Sequence, residues 1–279
     1  MQNAGLAALG LDWRYLAFDV RPEELAAALA GARAMRFLGL NLTVPHKLLA
    51  FDLVDARDAS AEAWGAVNTI QFEARDAAGV WQPLRAFDEL PEDAPVRTHG
   101  FNTDAEAIPR ALREDLGFEP AGRRVLLLGA GGAGRTAALK LADAGVASLH
   151  LVNRTASKAA LVADEIRTRF PKVRVEVGYP PGTVELVLNA TSLGLKSSDA
   201  LPFDSGEFKL GQAQAAYDMI YRPAETPFLA AARAAGCRTA NGLGMLLYQG
   251  ARALEIWTGQ PAPLAAMRTA LERSVYGTP

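Results

Sequence analysis

Between Val125 and Thr155 the sequence holds a complete strand–turn–helix–strand unit, and this unit constrains the fold more than any other stretch. Val125-Leu126-Leu127-Leu128 is a short uninterrupted apolar run, the pattern of a parallel strand covered on both faces. Gly129-Ala130-Gly131-Gly132-Ala133-Gly134 follows at once. A helix is expected from about Ala133 to Ala144, and Leu149-His150-Leu151-Val152 reads as the second strand. A lone G-x-G-x-x-G says little, but directly after an apolar strand and opening a helix it has a mechanism. The first glycine allows the tight turn, the second lets a pyrophosphate approach the backbone, and the third lets helix and sheet pack closely. Unpaired N–H groups at the helix start then face the phosphates. The six residues Gly129 to Gly134 are therefore expected to bind a dinucleotide.

The end of the second strand selects which dinucleotide. An NAD site usually carries Asp or Glu about 20 residues on, accepting hydrogen bonds from the ribose 2′-OH. Here Asn153-Arg154-Thr155 occupies that place, with Lys158 one helical turn later. A carboxylate would repel a 2′-phosphate, whereas a guanidinium grips it through two parallel hydrogen bonds. The cofactor expected is NADP.

The chain of 279 residues is long enough for two domains with their own cores. Its 29 basic and 31 acidic residues form no basic block, which argues against a nucleic-acid surface. No stretch approaches 18 uninterrupted apolar residues, so no membrane span is expected. The opening Met1-Gln2-Asn3-Ala4 lacks a charged region followed by an apolar run, so no signal peptide is expected either. Cys237 is the one cysteine, which fits a reducing, cytoplasmic setting. His46, His99 and His150 are scattered, without a second ligand at metal spacing, so no metal site is expected. The sequence leaves the oligomeric state open, a homodimer included.

Along the chain, the pattern predicts a strand over Arg14 to Val20 and a helix over Glu23 to Ala32 opened by Pro22, where the missing N–H costs nothing. A short strand, Phe37 to Leu42, leads into a helix with Thr43 as its N-cap and Pro45 in its first turn. A polar helix near Ala59 to Trp64 and a strand from Ala66 to Phe72 follow. Residues 74–97, with Pro83, Pro91 and Pro95, read as a long hairpin or surface excursion. A helix from Ala105 to Leu116 contains Pro109, which favours a kink or a late start. Beyond the glycine unit the pattern predicts a helix (Ser157 to Phe170), strands (Arg174 to Val177, Glu185 to Asn189, Ala215 to Ile220) and a helix (Pro227 to Ala235). Alternating strands and helices imply parallel βαβ units. Gly242 to Pro279 reads as two helices broken at Gly259-Gln260-Pro261, returning to the N-terminal domain.

Several polar blocks sit where strands end: Asn41-Leu42-Thr43-Val44-Pro45-His46-Lys47, Ala66-Val67-Asn68-Thr69, Gly100-Phe101-Asn102-Thr103-Asp104, Asn189-Ala190-Thr191-Ser192-Leu193-Gly194, Tyr217-Asp218-Met219-Ile220-Tyr221 and Gly242-Leu243-Gly244-Met245-Leu246-Leu247-Tyr248-Gln249. Each alone suits a turn or a cap. In this order around the glycine unit, the set closely resembles the shikimate dehydrogenase family, over nearly the whole chain. The resemblance implies an α/β protein of two domains: a substrate domain over 1–103, a Rossmann-type doubly wound parallel-sheet NADP domain over 104–241, and C-terminal helices (242–279) packing on the first. It implies Lys47 and Asp104 as the catalytic pair at the cleft between domains. Asn68 would bind ring hydroxyls, Thr43 and Gln249 would complete the pocket, and Tyr221 would lie nearby. Thr191, Ser192 and Met219 would border the nicotinamide end, and Gly242 would belong to the cofactor-binding set.

The implied reaction is the reversible NADPH-dependent reduction of 3-dehydroshikimate to shikimate, in aromatic amino-acid and chorismate biosynthesis. A quinate or broader cyclitol dehydrogenase, and an inactive NADP-binding module, are the alternatives. A lysine side chain is ordinarily protonated at neutral pH and is a poor base unless desolvated. Lys47 is therefore expected to act chiefly as a cation at the developing alkoxide and as proton donor in the reductive direction, oriented by Asp104.

One departure from the family stands out. Members usually begin with a strand and a Gly-x-Pro…Ser-x-Ser-Pro segment, whereas this chain opens inside the helix that follows. A start codon further upstream and a shortened protein with weak or no activity both account for this. A strand lost from the N-terminal sheet is expected to leave an unpaired edge and exposed apolar surface.

Overall fold

The computed structural model describes residues 1–90 and 94–277. The chain divides into two compact units, Met1–Ala105 with Gln249–Leu271, and Glu106–Tyr248 with Glu272–Pro279.

The first unit contains α1 (Gln2–Ala8), α2 (Leu25–Ala34), β1 (Gly39–Asn41), α3 (His46–Leu53), β2 (Ala56–Arg57), α4 (Ala59–Trp64), β3 (Thr69–Arg75), β4 (Trp81–Pro83) and β5 (Val96–Phe101). The helix α5 (Asp104–Leu116) starts here and runs on into the second unit. β3 is the organising strand. One of its edges pairs antiparallel with β1 and then β4, the other with β5, and β2 adds parallel to β5. Ile70, Phe72 and Ala74 alternate onto one face of β3 and are fully buried with Leu25, Leu29, Ala50 and Val54. This sheet sets the ends of β3 and β5 side by side, with Thr69 opposite Phe101.

The second unit contains β6 (Arg124–Leu128), α6 (Gly132–Asp143), β7 (Ser148–Val152), α7 (Ala156–Arg169), β8 (Arg174–Val177), β9 (Val184–Asn189), β10 (Ala213–Asp218), α8 (Pro227–Ala234) and β11 (Arg238–Asn241). Its six strands are all parallel, in the order β11-β10-β9-β6-β7-β8. This is the doubly wound order, whose direction reverses between β6 and β9. Ligands bind such sheets at that reversal, outside the carboxyl ends of the strands. The α/β, doubly wound architecture expected from the sequence is therefore present. The helices α9 (Leu243–Thr258) and α10 (Leu264–Tyr276) flank the break at Gly259-Gln260-Pro261, and within the first unit Trp257 Nε1 donates to the Ile70 carbonyl at 2.9 Å.

Some expectations need correcting. Arg14 to Val20 is not a strand: among the described residues no neighbouring strand pairs with it. Instead the Asn3 side chain takes both the N–H and the carbonyl of Tyr15, at 2.7 and 2.9 Å. Leu16 and Phe18 in this segment are 65% and 60% exposed. Pro22 opens a short 3-10 turn, Pro22–Glu24, ahead of α2. Thr43 is not an N-cap, because the helix starts at His46 after Pro45, and Thr43 contributes its carbonyl to His46 N at 2.8 Å. α5 begins at Asp104 with Pro109 inside it. The excursion over 74–97 contains the β3–β4 hairpin, while Pro91 lies outside the described residues, as does the end of the 242–279 stretch. β2, β5 and β11 went unread as strands in the sequence, and β4 lies within the stretch read as a long hairpin or surface excursion.

Candidate active site

α3 places Lys47 in its first turn and α5 begins with Asp104, 57 residues later. Lys47 Nζ lies 2.6 Å from Asp104 Oδ2, with the two side chains 27% and 15% exposed. This is a half-buried pair, within reach of a small molecule. A carboxylate in the first helical turn also suits the positive end of the α5 dipole. An ammonium has three donors, so among the described residues two of Lys47 remain for other oxygens once Asp104 has taken one. The Lys47 carbonyl accepts Val67 N at 2.9 Å, which ties α3 to the residue before Asn68.

Asn68 is 2% exposed and bound into its surroundings. Its Oδ1 accepts Thr103 N at 2.8 Å and its Nδ2 donates to Thr103 Oγ1 at 3.1 Å, which fixes the residue before Asp104. Thr69 Oγ1 donates to the same Oδ1 at 3.1 Å, Asn41 Nδ2 donates to Thr69 Oγ1 at 2.9 Å, and Tyr15 Oη donates to Asn41 Oδ1 at 3.0 Å. Burial pushes the Tyr15 phenol upward. One N–H of Asn68 is left for a ligand among the described residues. Sequence reasoning named Asn68 but missed Thr69, Thr103, Asn41 and Tyr15, which hold it. Asn41, Thr69 and Thr103 at least lie in the quoted polar blocks, whereas Tyr15 lies in none of them.

In the second unit the glycine turn sits at the reversal point. Gly129 adopts φ +102°, the left-handed region, beside Ala190 at the end of β9. A Cβ on Gly134 would lie 2.1 Å from the Gly129 carbonyl oxygen, so only glycine allows α6 this close to β6. At Gly131 and Gly132 a Cβ would meet nothing within 4 Å. The N-terminus of α6 carries no side-chain cap, and its first N–H groups open onto this space. Such a cradle fits a pyrophosphate.

Asn153 braces the turn. Its Oδ1 accepts Ala130 N at 2.9 Å and its Nδ2 donates to the Thr155 carbonyl at 2.9 Å. Ala133, Arg154, Thr155 and Lys158 are exposed, and neither Arg154 nor Lys158 forms an ion pair among the described residues. Two unpaired cations beyond the second strand suit a 2′-phosphate, so these residues fit NADP.

At the ends of β9 and β10, Thr191 is half-buried, Ser192 exposed and Met219 half-buried. Gly242 is buried, where a Cβ would lie 2.2 Å from the Met219 carbonyl oxygen. Asn189 and Asp218 are fully buried there, a pair to which the sequence reading gave no role. Their signal was a polar residue closing an apolar strand.

The remaining residues are more scattered. Thr43 is exposed, in the turn before α3, Gln249 is half-buried on α9, and Tyr221 is 39% exposed on the loop after β10. Among the described residues no cluster of His, Cys, Asp and Glu could hold a metal ion, and no helix is long and apolar enough to cross a membrane.

Three family models match: a shikimate dehydrogenase substrate binding domain over residues 1–70, a shikimate / quinate 5-dehydrogenase over 112–176, and a shikimate 5′-dehydrogenase C-terminal domain over 242–272. The shikimate dehydrogenase (NADP(+)) of Moorella thermoacetica is 42% identical, over 99% of this chain and 88% of that protein. That of Geobacter metallireducens is 40% identical, over 96% and 88%. Among solved structures, the Thermus thermophilus shikimate 5-dehydrogenase in complex with NADP(H) and shikimate has a TM-score of 0.75 and 33% identity, covering 98% of this chain and 92% of that one. A ligand-free 5-ketofructose reductase of a Gluconobacter strain has a TM-score of 0.78 and 35% identity, with coverages of 98% and 92%.

Proposed function

Since this chain belongs to the shikimate dehydrogenase family, we propose that it interconverts 3-dehydroshikimate and shikimate with NADP, using Lys47 and Asp104 for the proton transfer. The 2.6 Å Lys47–Asp104 pair, fastened through Thr103 to buried Asn68, is the observation that carries the residue assignment.

Gly129 to Gly134 would hold the pyrophosphate, Asn153 would keep their shape, and Arg154, Thr155 and Lys158 would meet the 2′-phosphate. Bound there, NADPH supplies the hydride for the substrate carbonyl carbon. Lys47 donates a hydrogen bond to the carbonyl oxygen and gives up its proton as negative charge develops there. Asp104 holds the ammonium in line through its Oδ2 and offers Oδ1 to a substrate hydroxyl. Asn68 contributes its remaining N–H to a ring hydroxyl, with Thr43, Gln249 and Tyr221 as further polar contacts. Thr191, Ser192, Met219 and Gly242 border the nicotinamide end. The reaction is a step of aromatic amino-acid biosynthesis, and the single cysteine supports a cytoplasmic location.

Steady-state kinetics with shikimate and quinate, each against NADP and NAD, test this reading. The expected result is the highest kcat/KM for shikimate with NADP. A folded, NADPH-binding protein that turns over neither acid would overturn it.

A further inference from the structure

We propose that Asp218, acting with Asn189 and Thr226, is a positioning residue that shapes the nicotinamide end of the cofactor site. This rests on the reading that Thr191, Ser192 and Met219 border that end.

Asp218 closes β10 and Asn189 closes β9, and the two are register partners in the parallel sheet. Both side chains are fully buried, so they act on a ligand only through their neighbours. Asn189 Oδ1 accepts Thr191 N at 3.0 Å and Thr191 Oγ1 at 2.8 Å, while its Nδ2 donates to the Leu193 carbonyl at 3.1 Å. Thr191 Oγ1 in turn accepts Leu193 N at 3.1 Å. The loop after β9 is thus wound around one amide. That amide is itself oriented by Asp218, whose Oδ1 accepts Asn189 Nδ2 at 3.0 Å.

The same carboxylate shapes the loop after β10. Its Oδ1 also accepts Ile220 N at 3.0 Å, which fixes the turn at Met219, and its Oδ2 accepts Thr226 Oγ1 at 2.6 Å. Thr226 caps α8 by accepting Leu229 N at 3.2 Å, and it lies against Gly194 at the end of the first loop. Both loops that carry the proposed nicotinamide contacts therefore converge on two carboxylate oxygens.

The chemistry calls for an acceptor-only group. Three donors point at Asp218, and among the described residues no basic side chain pairs with it. Burial pushes its carboxyl upward, against the pull of the Thr226, Ile220 and Asn189 donors. An amide at this position would present N–H to Thr226, whose hydroxyl hydrogen would then lack an acceptor.

The test uses the full chain and two probes: NADPH, read by its fluorescence, and 2′,5′-ADP, which carries the adenosine half alone. Asp218→Asn and Thr226→Val should each weaken NADPH about tenfold while 2′,5′-ADP stays within about twofold, and Thr226→Ser should restore NADPH affinity. Unchanged NADPH affinity would overturn the proposal, and so would equal loss for both probes or failure of Asp218→Asn and Thr226→Val alike to fold. Met219→Ala separates the proposal from the reading beneath it. If it leaves NADPH affinity unchanged, the placement of the nicotinamide fails and the proposal falls with it. If it weakens NADPH while Asp218→Asn does not, the proposal alone falls.

Discussion

Alanine placed at two glycines of the same turn should separate binding from folding. Gly131 has φ −75° and ψ −171°, which any residue adopts, and its Cβ would meet nothing within 4 Å. Alanine is a poorer N-cap than glycine, so Gly131→Ala should cost the fold at most about 1 kcal/mol. The methyl group would fill the space assigned to the pyrophosphate, and NADPH affinity should fall at least tenfold, about 1.4 kcal/mol. Gly134→Ala should behave in the opposite sense. Its Cβ starts 2.1 Å from the Gly129 oxygen and 2.7 Å from its carbon, both backbone atoms, so α6 must retreat from β6 to reach an ordinary contact of 3.4 Å or more. Overpacking of this kind costs about 1–3 kcal/mol, offset by up to about 1 kcal/mol of helix preference for alanine. The net loss, centred on about 1–2 kcal/mol, should lower Tm by about 2–8 °C. Thermal melts and NADPH titration of both variants are the assay. Wild-type NADPH affinity in Gly131→Ala would refute the cradle, and an unchanged Tm in Gly134→Ala would refute the packing argument.

Three further outcomes are expected. Lys47→Ala should reduce kcat by about 10²–10⁴-fold with NADPH binding intact, since proton transfer in the transition state is worth about that much; near-normal turnover would remove Lys47 from the mechanism. Arg154→Ala should raise KM for NADPH about 10–100-fold and leave that for NADH almost unmoved, because a charge-assisted contact to the 2′-phosphate exists only with NADPH; equal effects would sink the assignment. Glu73 is buried, which pushes its carboxyl up, but His99 Nδ1 at 2.9 Å and Arg97 Nη2 at 2.7 Å outweigh this and hold it below its ordinary value. Its stabilising effect is then present above the unfolded carboxyl pKa of about 4.3 and is lost as pH falls through the folded value. Glu73→Gln should therefore be less stable than wild type at pH 7 by about 1.5–3 kcal/mol, with the gap closing in acid, as unfolding measured across pH would show.

Legibility in the sequence followed locality. α4 and β8 have the bounds that their own residues predict, because a cap such as Asp58, whose Oδ1 accepts Ala61 N at 2.8 Å, acts within one turn. β11 escaped notice because Arg238-Thr239-Ala240-Asn241 has no apolar alternation, and β10 makes it a strand at the sheet edge. Arg14 to Val20 misled in the other direction: it has strand-like residues, but Asn3 takes the Tyr15 backbone groups that a ladder would need.

The site divides the same way. The glycine turn, Arg154 and the NADP reading were legible because one βαβ unit carries them within about thirty residues. The family resemblance named Lys47, Asp104 and Asn68, yet nothing local to them says that Lys47 and Asp104, 57 positions apart, close to a 2.6 Å contact. Nor does any local pattern show that a buried carboxylate at Asp218 gathers donors from Asn189, Ile220 and Thr226. By itself the sequence determined the strand and helix periods, the doubly wound unit and the identity of the cofactor, because those depend on near neighbours and on residue chemistry. Only the tertiary structure decided which polar groups are buried together, because desolvation makes an unpaired buried group costly and forces distant segments to meet in register.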